Sequence, residues 1–150
     1  QIKANTLLEK MVNNAKLSTA SLIGKNARIE EKGYFDGTSI RLTVNPDKGA
    51  TSATLIVKNA DGKEVAKEKI ELPSKTIDWS GKGTDGKVLD AGVYSFSVES
   101  FKDGKSIGEN YAEAYSEITE VTFADKKTLL TLAGDQTVLL DKIKGLRENS

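Results

Sequence analysis

The residues whose spacing most suggests chemistry are the glycines of GKGTDG, residues 81–86. They match G-x-G-x-x-G, the pattern that lets backbone amides approach a dinucleotide pyrophosphate. GKGTDGKV also falls one residue short of a Walker A loop, with Val88 where a hydroxyl would hold magnesium. A phosphate loop must enter a helix whose N-terminal amides face the anion, and that helix must return to a parallel strand. Here Val88-Leu89-Asp90-Ala91-Gly92 leads straight into the alternating residues 93–98. No crossover, which takes a dozen or more residues, fits between Gly86 and Gly92. An EF-hand fails too, because Asp78, Ser80 and Lys82 would take the first three ligand positions and Lys82 is a cation. Asp78, Asp85 and Asp90 form a loose carboxylate set, and Ser80 with Lys82 a Ser–Lys pair. Acidic residues in glycine-rich turns serve turn chemistry, and neither set has an acid–base partner in a special environment. The sequence therefore predicts no catalytic, cofactor-binding or metal-ligating residue.

Composition narrows the chemistry further. The chain of 150 residues contains neither cysteine nor histidine. Disulfide frameworks, thiolate nucleophiles, zinc sites and imidazole bases are thereby excluded. Its 22 basic and 22 acidic residues cancel. Without a net field there is nothing to draw the chain to nucleic acid or an anionic membrane. No apolar run approaches the roughly 20 residues of a membrane span, and no secretory signal is visible. The chain begins at Gln1 rather than Met, so it is expected to be a fragment.

The elements that would position these residues are mostly strands. Residues 2–18 are the exception: Leu7, Leu8, Met11, Val12 and Ala15 recur at steps of three and four, between Lys3, Glu9, Lys10, Asn13, Asn14 and Lys16. That spacing predicts an amphipathic helix over residues 1–18. Its stripe of Leu7, Leu8, Met11 and Val12 either packs on its own domain or pairs with another chain. From about residue 38 the period becomes two. Ile40, Leu42 and Val44 alternate with polar residues, as do Leu55 and Val57, Ile70 and Leu72, Ile77 and Trp79, and Tyr94, Phe96 and Val98. Residues 38–110 thus read as an antiparallel β-sandwich. DGK occurs three times, at residues 61–63, 85–87 and 103–105. Between alternating strands, Asp-Gly supplies the positive φ angles of a tight hairpin, a backbone reason for the spelling. In the tail, TLLTLA and TVLLDKI flank Gly134-Asp135-Gln136, which predicts a hairpin. A short strand at 22–30 has no partner within the sandwich, so we expect it to pair with the tail. The sandwich would then be an insertion into a second small β domain.

The order of these features resembles the C-terminal part of the bacterial flagellar hook-capping family, also called the hook assembly scaffold or basal-body rod modification protein. Two stretches carry the resemblance. One is L-I-G-K after a helix, here Leu22, Ile23, Gly24 and Lys25. The other is a W-D-G-x-D-x-x-G-x-x-x-x-x-G-x-Y-x-F-like segment, matched by Trp79, Gly81, Asp85, Gly86, Gly92, Tyr94 and Phe96. The family's acidic residue after Trp is Ser80 here, and the loop is longer around Lys82 and Gly83.

The resemblance implies a mostly β fold with a fibronectin type III or immunoglobulin-like domain, residues 38–110. It would be inserted into a split tudor-like barrel, residues 19–37 plus 111–150. It also implies a non-enzymatic protein that needs no cofactor, nucleic acid, membrane or small-molecule substrate. Such a protein is exported by the flagellar type III system. At the hook tip it forms a homo-oligomeric, pentameric cap and promotes polymerisation of the flagellar hook protein. A tudor-like barrel raises the question of an aromatic cage. Tyr111, Tyr115 and Phe123 are the aromatics of the tail, and core packing accounts for them more simply. The competing reading is a ligand- or glycan-binding β-sandwich of a secreted bacterial surface protein.

Overall fold

Apolar residues at every second position favour sheets with one buried face, and strands dominate the chain accordingly. The computed structural model describes residues 20–148; the helix expected over residues 1–18, with Leu7, Leu8, Met11 and Val12, lies outside them. Chain contacts divide the molecule into two compact units, one from residues up to Arg28 with Ser116 onward, the other Ile29–Tyr115. Both divisions fall inside strands, namely β1 (Asn26–Glu30) and β9 (Glu113–Ala124).

The unit Ile29–Tyr115 contains β2 (Lys32–Phe35), β3 (Ile40–Thr43), β4 (Ser52–Lys58), β5 (Glu64–Ile70), β6 (Thr76–Trp79), β7 (Gly92–Lys102) and β8 (Lys105–Tyr111). One sheet runs β5-β4-β7, and β2 and β8 share the remaining side of β7. In the second layer β3 lies between β6 and the first residues of β9. All these pairings are antiparallel. Alternation places Ala53, Leu55 and Val57 of β4 and Tyr94, Phe96 and Val98 of β7 in the core, facing Ile40, Leu42 and Trp79. Phe35, Leu42, Leu55, Trp79 and Phe96 are fully buried. Burial of each such side chain is worth roughly 1.5–3 kcal/mol against leaving it in water. The fold is thus mostly β with an immunoglobulin-like sandwich, as the sequence predicts.

The DGK turns are less uniform than expected. Asp103 and Gly104 both have positive φ, 51° and 84°, and form the two-residue hairpin expected between β7 and β8. At residues 59–63 only Gly62 does, and Asn59 organises the loop by accepting from the amides of Asp61 and Lys63.

In the other unit, β10 (Lys127–Leu132) and β11 (Gln136–Leu139) form the expected tail hairpin around a 3-10 turn, Ala133–Asp135. The strand order is β11-β10-β9-β1-β12, where β12 is Gly145–Arg147. β1 pairs antiparallel with β12 (Asn26 opposite Arg147), the tail pairing expected for the orphan strand. Leu22 lies in a 3-10 turn, Ala20–Leu22, and the strand proper starts at Asn26.

Candidate functional site

The glycine-rich connection between β6 and β7 folds back on itself. Gly83 donates to the Lys87 carbonyl at 2.9 Å, Gly86 to that of Gly83 at 2.9 Å, and Leu89 to that of Gly81 at 2.8 Å. The Lys87 amide is taken by the Asp85 carboxylate at 3.0 Å. Thr84 donates to the Val65 carbonyl at 3.1 Å, which docks the loop on the outer edge of β5. The amides of Gly83, Thr84, Gly86 and Lys87, four of those a phosphate cradle would aim at an anion, are thereby engaged within the protein. The loop's work is structural: it carries the chain from β6 to β7 and covers part of an edge strand that would otherwise offer free backbone groups.

At the root of this loop the motif aromatics meet. Trp79 lies 5.3 Å from Phe35, 5.5 Å from Tyr94 and 5.3 Å from Phe96, ring centre to ring centre. The last two contacts are edge-on, the geometry that aromatic quadrupoles prefer. The indole N–H finds no acceptor, so packing alone holds the Trp79 side chain. Gly81 has φ 88°, and a Cβ there would stand 2.1 Å from Phe35 Cζ. Only glycine lets the chain pass over that ring. The Tyr94 hydroxyl donates to the Asp90 carbonyl at 2.6 Å. A tyrosine bonding back to the backbone a few residues upstream is the tyrosine corner of immunoglobulin-like sandwiches. Burial first, and then the Asp90 carboxylate, push its pKa above the ordinary 10.0.

The other motif positions have lesser roles. Asp85 and Gly86 shape the turn, with φ 82° at Gly86 and open space around it. Gly92 has neither a positive φ nor a near neighbour, and nothing in the structure explains a glycine there. Of Leu22, Ile23, Gly24 and Lys25, Leu22 is half-buried and Ile23 is 48% exposed. Gly24 has φ 95° and donates to the Ile118 carbonyl, and Lys25 forms an ion pair with Glu148. The carboxylates of Asp78 and Asp85 have separate partners: Asp78 is paired with Arg41 Nε at 3.4 Å and Asp85 holds its turn. Among the described residues no group of three or more acidic side chains is placed to hold a metal ion. Tyr111 and Phe123 are 55% and 44% exposed and Tyr115 is half-buried, which corrects the expectation that core packing accounts for all three.

Sequence reasoning overlooked two features. Phe35 completes the aromatic cluster. A polar clip also ties the loop after β3 to β7 and β8. In it, the Asp47 amide donates to the fully buried Ser100 hydroxyl at 2.8 Å. The Asn110 side chain donates to the Asp47 carboxylate at 2.7 Å. Beside it lies a polar groove of about 340 Å³ lined by Glu30, Thr43, Asn45, Glu109, Asn110, Tyr111 and Glu113.

An antiparallel two-layer sandwich with a buried Trp and a tyrosine corner defines an immunoglobulin-like module. A family model described as the FlgD Ig-like domain matches residues 29–104, just over half of the 150 residues. The chain belongs to the FlgD Ig-like domain family. Its fold is similar to that of FlgD from Xanthomonas campestris, whose structure was described for its insights into the hook capping essential for flagellar assembly. The TM-score is 0.71 at 19% identity, over 90% of this chain and 99% of that one. FlgD from P. aeruginosa is also similar, with a TM-score of 0.65 at 21% identity over 82% of this chain and 96% of that one. No curated protein matches the chain in sequence.

Proposed function

We propose that the chain is a non-enzymatic scaffold for assembly of the bacterial flagellar hook. It acts through protein–protein contacts, as part of an oligomeric, pentameric cap at the growing tip that promotes polymerisation of hook protein subunits. The protein reaches the tip through the flagellar type III export system. Membership of the FlgD Ig-like domain family is the observation that carries this reading. The fold likeness to a FlgD studied for hook capping supports it. So does the use of Trp79, Gly81 and Tyr94, which are spent on packing rather than aimed at a ligand. In the same reading, the unit in which the first strand pairs with the last is the split tudor-like barrel. The sandwich expected over residues 38–110, which lies within the unit Ile29–Tyr115, is the fibronectin type III-like insertion.

The full-length protein mixed with polymerising hook subunits tests this directly. The scaffold reading expects it to co-sediment with the polymer and to form a higher oligomer by light scattering. The groove beside the Asp47 clip favours a second reading, a ligand- or glycan-binding module, because its Asn, Glu and Tyr side chains suit hydroxyl-rich ligands. Glycan-array binding with no effect on motility would replace the first reading by the second.

A further inference from the structure

One face of the sheet formed by residues up to Arg28 and from Ser116 onward is only partly filled. Cross-strand partners share a face, and Leu130 stands opposite both Val121 and Val138. Alternation along β10 adds Thr128 and Leu132 to that face, with their partners Phe123 and Ile118. The neighbouring pair is Leu146 with the fully buried Ala27. Of the apolar residues here, Ala27, Ile118, Leu130 and Leu132 are buried, while Val121 and Val138 are half-buried. Phe123 is 44% exposed and Leu146 43%. Large apolar side chains thus stand part-bare beside fully buried neighbours.

We infer that the stripe Leu7, Leu8, Met11 and Val12 of the same chain seats on this face, over Phe123 and Leu146. The nineteen residues before Ala20 lie outside the described residues, and they join the unit beside Ile23, itself 48% exposed. Seven residues, 13–19, lie between Val12 and Ala20. With residues 2–18 helical, the stripe from Val12 back to Leu7 lies up to roughly 16–24 Å from Ala20, against ~19 Å between the outer strands of five at ordinary spacing. The stripe can therefore lie across the face. The helix that the spacing predicts over residues 2–18 would be about 25 Å long, which matches the sheet. A helix of that length is marginal in water until its stripe is buried. Seated this way, Lys3, Glu9, Lys10 and Lys16 stay in solvent. The inference rests on the sheet and the stripe alone, and stands apart from any role in hook assembly.

The absence of cysteine makes cross-linking clean, since only introduced thiols react. Four double variants of the full chain combine Leu8→Cys or Met11→Cys with Phe123→Cys or Leu146→Cys, each treated with a short bismaleimide. The expected result is an intramolecular product at monomer mass in most pairs, its yield independent of protein concentration. A control pairs Met11→Cys with Thr122→Cys, an exposed residue on the other face of β9, and should give little product. Products only at dimer mass would overturn the inference in favour of a joint between two copies. Yields no higher than the control would overturn it outright. A second measurement uses Leu8→Asp with Met11→Asp, with Trp79 emission confirming that the sandwich is folded. Amide exchange in β9 and β10 should accelerate about tenfold, a loss of roughly 1.4 kcal/mol, with β4 and β7 unchanged. Unaltered exchange in β9 and β10 would refute the docking.

Discussion

Replacing Gly81 with alanine tests the sandwich where it is tightest. The new Cβ would lie 2.1 Å from Phe35 Cζ, 2.3 Å from Cε1 and 2.9 Å from Cε2. Carbon atoms rest at about 3.5–4.0 Å, so ring or backbone must move by more than an ångström. The ring has nowhere easy to go, being fully buried, 5.3 Å from Trp79 and 6.3 Å from Tyr94. Overpacking of this kind costs about 1–3 kcal/mol. The φ of 88° adds a further ~1 kcal/mol for a residue with a Cβ. The sum is about 2–4 kcal/mol. Two glycines of the same motif serve as controls. Gly86 has φ 82° and open space, so Gly86→Ala should lose only the ~1 kcal/mol of backbone strain. Gly92 has neither constraint, and Gly92→Ala should stay within ~0.5 kcal/mol of the parent. Urea unfolding followed by the emission of Trp79, the single tryptophan, reads all three. With an m-value of ~2 kcal/mol/M, the midpoint should fall by about 1–2 M, about 0.5 M and almost nothing. A Gly81→Ala midpoint equal to that of Gly92→Ala would refute the packing argument.

Three further outcomes follow from the same unit. Tyr94→Phe removes the hydroxyl that bonds the Asp90 carbonyl and should cost about 0.5–1.5 kcal/mol in the same urea assay. Tyr94 is held protonated in the fold, so unfolded chains ionise first as the pH rises through about 10. Its stabilising contribution is complete below that pH and lost above it. Stability measured from pH 9 to 11 should therefore fall more steeply in the parent than in Tyr94→Phe. Ser100→Ala deletes the buried acceptor of the Asp47 amide and should cost about 1–3 kcal/mol, with Asn110→Ala non-additive in a double-mutant cycle. The Thr38 hydroxyl and then its amide hold the Asp36 carboxyl below its usual value. Its contribution is present above the unfolded pKa near 3.9 and is lost as the pH falls through the lower folded value. NMR titration of Thr38→Ala should show the Asp36 pKa moving up.

Local patterns made part of this molecule readable. The period-two alternation of Tyr94, Phe96 and Val98 specified a strand and its buried face, and the structure agrees on both. The pairing of β1 with the tail followed from a strand left without a partner. Features that depend on distant residues left no such trace. Phe35 and Trp79 meet across 44 positions, and the Asp47 amide and Ser100 across 53. Neither pairing has a periodicity to announce it. The passage from β1 to β2 turns on the single residue Glu31, at φ 80°, with no glycine or proline to mark it. Asp-Gly at residues 61–62 spells the same turn as at 103–104. The Asn59 side chain, by accepting from the amides of Asp61 and Lys63, sets a wider loop there instead.

The scaffold reading is tested most directly by deleting the coding sequence of the complete protein in the source bacterium and imaging the flagella. The account predicts cells without hooks and without motility, both restored by the full-length protein. Hooks of normal length and unimpaired swimming in the deletion strain would contradict it.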